Sequence, residues 1–220
     1  MLDEFPVWAT VDLDAIAHNV AAIKRHVGEQ VAVMAVVKAN AYGHGTEPVA
    51  RVALESGASW LAVNRVDEGV ALRQAGIRAP ILVMGYTPAA GAAAAVTQGL
   101  TLTVTSIELA EALSAAVSHT GKTADIHVKI DTGMGRCGIL PDEALDFFRA
   151  LRRLPGLNLE GAFTHFAVAD LADKDYTHRQ FASYLEILAE LERDGIQIAM
   201  RHVANSAATL DLPEMHLDAV

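Results

Sequence analysis

The stretch VAVMAVVKANAYGHG, residues 31–45, decides the fold class of this chain. It opens with a near-continuous apolar run, residues 31–39, of the kind that is buried on both faces of a parallel sheet. Lys38 stands at the end of that run, and a glycine-bearing turn follows it. Burying an unpaired ammonium is strongly unfavourable. Lys38 therefore either extends to the surface along its stem or belongs to a site that uses an amine.

Further short apolar runs follow along the chain, with amphipathic stretches between them. The predicted strands are residues 31–39, 60–64, 79–85, 100–104, 124–131, 157–165 and 198–205. Strands that alternate with helices indicate βαβ units and a parallel sheet. The sequence therefore predicts an α/β fold.

Three helix boundaries are marked in the sequence. Thr105 and Glu108 form the capping-box pattern at the start of TSIELAEALSAAV. Pro141 fits the first turn of PDEALDFFRALRRL. The longest predicted helix, residues 176–194, is followed by Gly195, which suits the position just after a helix end.

The number of strands is open between two counts. The seven strands from residue 31 onward need an eighth to close a (β/α)₈ barrel. On this count MHLDAV, residues 215–220, approaches a strand that the chain does not reach, and the TIM-type barrel is incomplete at its C-terminal end. On the other count VWATVDL, residues 7–13, is the first of eight strands, before a helix over residues 14–27.

Composition narrows the class of protein. The chain has 220 residues, 52% of them hydrophobic and 20% charged, which suits one globular domain with a large core. No apolar run reaches the roughly 18 residues that span a bilayer. The start, MLDEFPVWAT, carries acids where a secretory signal carries positive charge. We therefore expect neither membrane association nor export.

Charge and cysteine content point the same way. The single cysteine, Cys137, excludes an internal disulfide framework and fits a reducing cytoplasm. A formal net charge of −10 argues against a nucleic-acid partner, which needs a basic face to neutralise phosphates. We expect a cytoplasmic protein that acts on small molecules.

Polar side chains gather where the predicted strands end. In a parallel barrel the site lies at the C-terminal ends of the strands, so these residues share one rim. They are Lys38 with Tyr42 and His44, Arg136, His165, and Asn205 with Ser206. A lysine at such a rim, partly desolvated and near another cation, has a lowered pKa and can form a Schiff base.

The carbonyl compound that suits this lysine is pyridoxal 5'-phosphate, whose ring accepts electrons from a carbanion at the substrate Cα. A helix that begins at Asn205 and Ser206 would offer backbone N–H groups and a hydroxyl to the phosphate. Arg136 would hold an anionic ring oxygen, and His165 would stack against the ring face. No set of metal ligands is predicted.

A competing motif lies in the same loop. GMGRCG, residues 133–138, matches the dinucleotide fingerprint G-x-G-x-x-G after a predicted strand, with Glu160 about twenty residues on. The third glycine should open a helix, yet ILP intervenes, and Arg136 and Cys137 would crowd the turn. The dinucleotide interpretation is therefore disfavoured.

AVVKANAYGHG resembles the pyridoxal-phosphate lysine signature of alanine racemases. The likeness continues in order through KIDTGMGRCGI, EGAFTHFAVAD and HVANSAATL, and so covers essentially the whole chain. The resemblance implies an N-terminal (β/α)₈ barrel, a β-rich C-terminal domain and a head-to-tail homodimer. It also implies that VWATVDL joins the sheet of the second domain, which favours the count of seven strands.

The resemblance assigns roles to individual residues. Lys38 would carry the Schiff base and act as the base on the D-alanine side. Tyr42 and Ser206 would contact the cofactor phosphate. Arg136 would bond the phenolate oxygen of the ring, and His165 would lie beside the ring.

Two further positions match the family pattern. Asn205 matches the residue just before the phosphate-binding serine. Lys129 matches a lysine that is carbamylated in some members, which would turn a cation into an anion able to orient Arg136. The other interpretation of Lys129 is an exposed strand lysine.

The family pattern also extends past this sequence. A family segment similar to DAVRPGI supplies an arginine to the ring nitrogen, and Val220 precedes that position. The opposite-face base, a tyrosine of the partner subunit, belongs to the second domain. We therefore expect residues 1–220 to form a cofactor-binding barrel without its last strand and without the C-terminal domain.

The expected function is interconversion of L-alanine and D-alanine for peptidoglycan, in a homodimeric isomerase. Two alternatives remain open. One is a cofactor-binding fragment without racemase activity. The other is a barrel-fold amino-acid decarboxylase, although such relatives carry other residues around the lysine than KANAYGHG.

Overall fold

The computed structural model describes residues 7–118 and 120–220. Residues 1–6 lie outside the described residues, and most of the acidic start on which the expectation against export rests lies there. In the described part of the chain, no helix combines the length and the apolar character needed to cross a membrane.

Seven parallel strands form one sheet in sequence order. They are β1 Met34–Val36, β2 Trp60–Val63, β3 Ile81–Val83, β4 Thr101–Val104, β5 Ala124–Lys129, β6 Leu157–Phe163 and β7 Met200–His202. Each predicted strand from residue 31 onward is confirmed, and each is shorter than the run that predicted it. The remaining residues of those runs enter the loops at either end, where the site residues lie.

Helices fill the crossovers between the strands. They are α1 Leu13–Val27, α2 Lys38–Tyr42, α3 Thr46–Glu55, α4 Val66–Gln74, α5 Ala92–Gln98, α6 Ile107–Ser118, α7 Ala144–Leu151, α8 Asp175–Arg193 and α9 Ser206–Asp211. Among them, α2 is a single turn with an unusual backbone, described below with the site.

The count that makes residues 7–13 the first of eight barrel strands is wrong. Residues 7–12 form no strand, and α1 begins at Leu13 after Asp12, whose carboxylate accepts the N–H of Ala15 at 3.0 Å. Trp8 is 63% exposed. Residues 7–12 pair with no strand in the described part of the chain, although their β-branched side chains favour an extended backbone. The count of seven strands is therefore confirmed.

The sheet curls until β1 and β7 face each other across residues 218–220. Ala219 forms isolated parallel bridges to Ala32 on one side and His202 on the other. Residues 218–220 take the eighth position of the ring without forming a strand of their own. The incomplete α/β barrel predicted from the sequence is confirmed, with its eighth position occupied by a short extended segment.

Alternation along the strands divides the core into two layers. Leu61, Val63 and Ile81 face the helices. Trp60 and Leu82 face the barrel interior, where partly buried methionines pack against them. Apolar side chains fill this part of the interior, and the residues predicted for the site lie towards the C-terminal ends of the strands.

The helix boundaries require one correction. Ser106, not Thr105, caps α6: its Oγ accepts the N–H of Leu109 at 3.3 Å. The two hydroxyl residues are adjacent, and the one directly before the first helical residue is placed to cap. Pro141 opens a 3₁₀ turn ahead of α7, as predicted, and Gly195 follows α8 with φ of 73°.

Candidate active site

Lys38 opens a turn with left-handed backbone geometry. Ala39 (φ 51°, ψ 52°), Asn40 (φ 56°, ψ 42°) and Ala41 (φ 50°, ψ 48°) all adopt this conformation, and Tyr42 has φ of 55°. For L-residues the left-handed conformation costs roughly 1–2 kcal/mol each. Strain of this kind persists only where surrounding contacts hold it in place, and it concentrates at functional sites.

Two side-chain hydrogen bonds and a glycine hold the turn. The N–H of Ala39 donates to Glu68 Oε1 at 2.7 Å. The N–H of Thr46 donates to Asn40 Oδ1 at 3.1 Å. Gly43 ends the turn with φ of 92°, a conformation that favours glycine. The lysine is thus carried by a fixed backbone at the end of β1.

A cavity of about 560 Å³ opens at the C-terminal ends of β1, β6 and β7. Its wall includes five of the predicted site residues, namely Lys38, Tyr42, His165, Asn205 and Ser206. The rest of the wall is largely apolar, with contributions from α1 and α3. Lys38 is half-buried there, and its Nζ lies 5.9 Å from the centre of the Tyr42 ring.

Arg136 lies on the neighbouring loop and is not part of the cavity wall. Its side chain is exposed, and its backbone is fixed by Asp131. Asp131 Oδ1 accepts the N–H groups of Gly133 and Gly135, and Oδ2 accepts that of Arg136, all at 3.0 Å. Burial opposes ionisation of Asp131, but these bonds outweigh it and lower the pKa of the carboxyl.

The same contacts reject the dinucleotide interpretation of residues 133–138. Backbone N–H groups that a pyrophosphate would need are already bonded to Asp131. Behind the third glycine the chain returns to the sheet, where Ile139 bridges Ile130. No helix starts at that glycine, so the fingerprint lacks its structural context.

Lys129 is buried inside the barrel, and the alternative of an exposed strand lysine is wrong. It is 6% exposed, and its Nζ lies 5.6 Å from the centre of the Phe163 ring. Alternation along β5 turns it inward, away from Val128, which faces the helices. The sequence alone does not predict that Lys129 points inward, because the direction of its side chain depends on the register of β5 in the sheet.

Positive charge surrounds His165. Burial and then the charges of Lys129, Arg136 and Lys38 lower the pKa of its imidazole to about 4. His165 is therefore neutral at pH 7. Its backbone is held by Gln180, whose Nε2 donates to the carbonyl of His165 at 3.2 Å.

These cations have no carboxylate partners. Within residues 7–118 and 120–220, no ion pair involves Lys38, Lys129 or Arg136. In a chain with a formal charge of −10, such a cluster creates a local positive potential. It fits an anionic ligand.

Asn205 and Ser206 form the start of α9 at the cavity edge. Asn205 Oδ1 accepts the N–H of Ala208 at 3.0 Å, so the amide oxygen caps the helix. The amide nitrogen remains as a donor. Ser206 is exposed beside it and is the first residue of the helix.

The sequence analysis missed a histidine pair in the wall and interior. His202 lines the cavity, stacks on Phe163 with ring centres 4.7 Å apart, and has Nε2 2.9 Å from Nδ1 of His127. Burial, and then the charge of His127, hold the pKa of His202 well below its usual value. Alternation along β5 and β7 is the signal that turns both rings inward.

Among the described residues, no group of His, Cys, Asp and Glu side chains is arranged to hold a metal ion. The functional groups brought together are amines, a guanidinium, imidazoles and hydroxyls. Such a donor set is suited to an organic anion.

Comparison with known families matches residues 11–220 to the model described as "Alanine racemase, N-terminal domain". Among curated proteins, alanine racemase of Desulfosudis oleivorans is 50% identical over 228 aligned positions, covering 100% of this chain and 58% of the relative. That of Desulforamulus reducens is 48% identical, covering 98% of this chain and 58% of the relative. The chain thus spans a little over half the length of these relatives.

Solved structures give the same result. Alanine racemase of Clostridium difficile 630 in complex with cycloserine superposes with a TM-score of 0.95 at 40% identity, covering 98% of this chain and 60% of that one. Alanine racemase of Bacillus anthracis with bound L-Ala-P superposes with a TM-score of 0.90 at 41% identity, covering 98% and 57%. The barrel fold is therefore shared with these proteins.

Proposed function

Because the chain belongs to the alanine racemase N-terminal domain family, we propose that it forms the cofactor-binding barrel of an enzyme that interconverts L-alanine and D-alanine. The observation that carries the proposal is the largely apolar cavity whose wall brings Lys38 together with His165, Tyr42 and Ser206. The barrel-fold decarboxylase loses its support, because the matched family and the relatives reported above are alanine racemases.

The residues of the rim fit pyridoxal phosphate. Bound there, the cofactor supplies an electron sink that stabilises negative charge on the substrate Cα. Lys38 would hold it covalently through Nζ. Tyr42 and Ser206 offer hydroxyls to its phosphate, and Arg136 offers a guanidinium to its ring oxygen.

Lys38 also has a role in proton transfer. Its Nζ takes a proton from the substrate Cα on one face, or returns it there, and this face belongs to D-alanine. Neutral His165 would lie beside the ring without adding a positive charge. The largely apolar wall limits the access of water to the reacting carbon.

Racemisation needs a second proton-transfer group on the opposite face of Cα. The family pattern places that group, a tyrosine, in the C-terminal domain of a partner subunit. The proposal therefore includes a homodimer as the active assembly and the cytoplasm as its location. For the 220-residue chain alone, we propose cofactor binding without turnover.

Lys129 has a separate proposed role. Inside the barrel, carbamylation of its amine would replace a buried unpaired cation with an anion. That anion would then attract the guanidinium of Arg136. The burial of Lys129 supports this proposal, since an uncompensated buried ammonium is costly.

The activity is tested on the homodimer of the longer protein, in which this barrel is joined to the C-terminal domain. It is assayed with alanine, lysine and ornithine, and both D-alanine and released CO₂ are measured. Formation of D-alanine without CO₂ supports the racemase, and release of CO₂ from any of the three would favour a decarboxylase. Lys38→Ala should abolish turnover. Unchanged turnover in this variant would contradict the assignment of Lys38.

A further inference from the structure

Glu68 joins two loops of the rim through one carboxylate. Its Oε2 accepts the N–H groups of Asn64 at 2.7 Å and Arg65 at 3.0 Å, both directly before α4. An acid in the first turn that bonds the N–H groups before its own helix is ordinary capping. Its Oε1 instead accepts the N–H of Ala39 at 2.7 Å, 29 residues earlier in the chain.

The second contact has no role in capping α4. It reaches the residue directly after Lys38, at the start of the left-handed turn. Ala39 is exposed, so its N–H would bond to water if the carboxylate were absent. A hydrogen bond to a charged acceptor is stronger than one between neutral groups. The carboxylate therefore favours the strained conformation over relaxed ones.

The left-handed turn also sets the direction of two side chains. Lys38 directly precedes the residues with positive φ, Tyr42 is the last of them, and both line the cavity. If the turn relaxed to a right-handed or extended backbone, the two side chains would leave their common position. We propose that Glu68 is the positioning residue for Lys38, because its carboxylate locks the left-handed turn to the start of α4.

This inference rests on the proposed function of Lys38, but its structural part is tested separately. Glu68→Gln is the informative substitution, since glutamine keeps the shape and has only one acceptor oxygen. It can bond the N–H groups before α4 or the N–H of Ala39, not both. Asp67→Asn is the matched control: it removes the same charge one residue away, and the carboxylate of Asp67 bonds the side chain of Arg65 instead of the N–H of Ala39.

The first readout is backbone hydrogen exchange of the 220-residue chain without any ligand. We expect Glu68→Gln to speed exchange at Ala39 and in the following turn by about tenfold, with α5 to α8 unchanged. Asp67→Asn should change exchange of the turn by less than about twofold. Equal exchange of the turn in the two variants would overturn the proposal.

The second readout is the rate at which pyridoxal phosphate and borohydride label Lys38, measured by peptide mass. A turn that samples several conformations presents the amine less often, so Glu68→Gln should slow this labelling by about tenfold relative to Asp67→Asn. Lys24 serves as an internal reference, since it lies on α1 away from the turn. Labelling of Lys38 as fast as in the control would overturn the positioning role.

The two readouts separate the two claims. If the unsubstituted chain gives no adduct at Lys38, the proposed function fails, and hydrogen exchange still decides whether Glu68 locks the turn. If Glu68→Gln does not fold, Glu68→Asp replaces it, because the shorter side chain keeps the charge and cannot span both loops. Its exchange is then compared with Asp67→Asn by the same criterion.

Discussion

His127 Nδ1 lies 2.9 Å from Nε2 of His202, inside the barrel where His202 forms part of the cavity wall. At this distance one ring donates an N–H and the other accepts it, so at least one ring is neutral. The pair connects the packed interior of the barrel to the site. Its packing and its protonation each lead to a prediction.

The packing of His127 depends on Gly161 in β6. A Cβ at Gly161 would stand 2.7 Å from three carbons of the His127 ring. We therefore expect Gly161→Ala to lower the free energy of unfolding by about 1–3 kcal/mol, measured by urea titration. In a His127→Ala background the same change should cost less. An equal cost in both backgrounds would show that the ring contact is not the cause.

We expect the chain to lose stability in mild acid, because two partly buried histidines have lowered pKa values. The folded-state pKa of His165 is about 4, below the value of 6.5 for a free histidine, and that of His202 is lowered in the same direction. Below pH 6.5 these histidines bind protons in the unfolded chain but stay neutral in the folded chain. The free energy of unfolding should therefore fall as the pH drops from about 6.5 towards 4.

His165→Gln isolates this contribution, because carboxylates also titrate in acid. The variant should lose less stability than the unsubstituted chain between pH 7 and pH 4.5, while His18→Gln, on the exposed side of α1, should follow the unsubstituted chain. Urea titrations at several pH values provide the comparison. A His165→Gln profile identical to that of His18→Gln would contradict the lowered pKa.

Asp131 organises the loop that carries Arg136. Removing its carboxylate leaves three backbone N–H groups without their acceptor. We expect Asp131→Ala to lower the free energy of unfolding by about 1–3 kcal/mol, and to weaken binding of pyridoxal phosphate through the loosened guanidinium. Absorbance titration measures the binding. Asp142→Asn, which changes an exposed acid further along the chain, should change neither quantity. If the two variants behaved alike, the role of Asp131 in holding the Arg136 loop would be contradicted.

Carbamylation of Lys129 should be visible by mass. In bicarbonate buffer the intact chain is expected to gain the mass of one CO₂, and the gain should disappear in Lys129→Ala. The physical reason is that the modified side chain no longer buries an unpaired cation. Peptide spectra that show only unmodified Lys129 under bicarbonate would count against the modification.

The sequence predicts those features that depend on local pattern and on barrel topology. Apolar runs placed all seven strands, and the rule that sites lie at strand ends brought Lys38, His165 and Asn205 to one rim. The run at residues 7–13 failed because a strand also needs a neighbour to pair with. The pattern alone carries no information on whether such a neighbour is present.

The remaining features depend on contacts between distant residues. Ala39 and Tyr42 do not favour left-handed geometry, so nothing local predicts the turn at Lys38. The contact of Glu68 with Ala39 depends on that geometry. The pairing of His127 with His202 depends on the register of β5 with β6, which shifts between Ile126 and His127.

The most direct test of the central claim is reduction of the 220-residue chain with borohydride in the presence of pyridoxal phosphate, followed by peptide mapping. An absorbance spectrum before reduction reports whether the cofactor is bound. We predict a pyridoxyl adduct confined to Lys38, because among the described residues this is the lysine in the cavity wall, close to the other predicted site residues. Labels scattered over many lysines, or no adduct, would contradict the claim that this rim holds the cofactor.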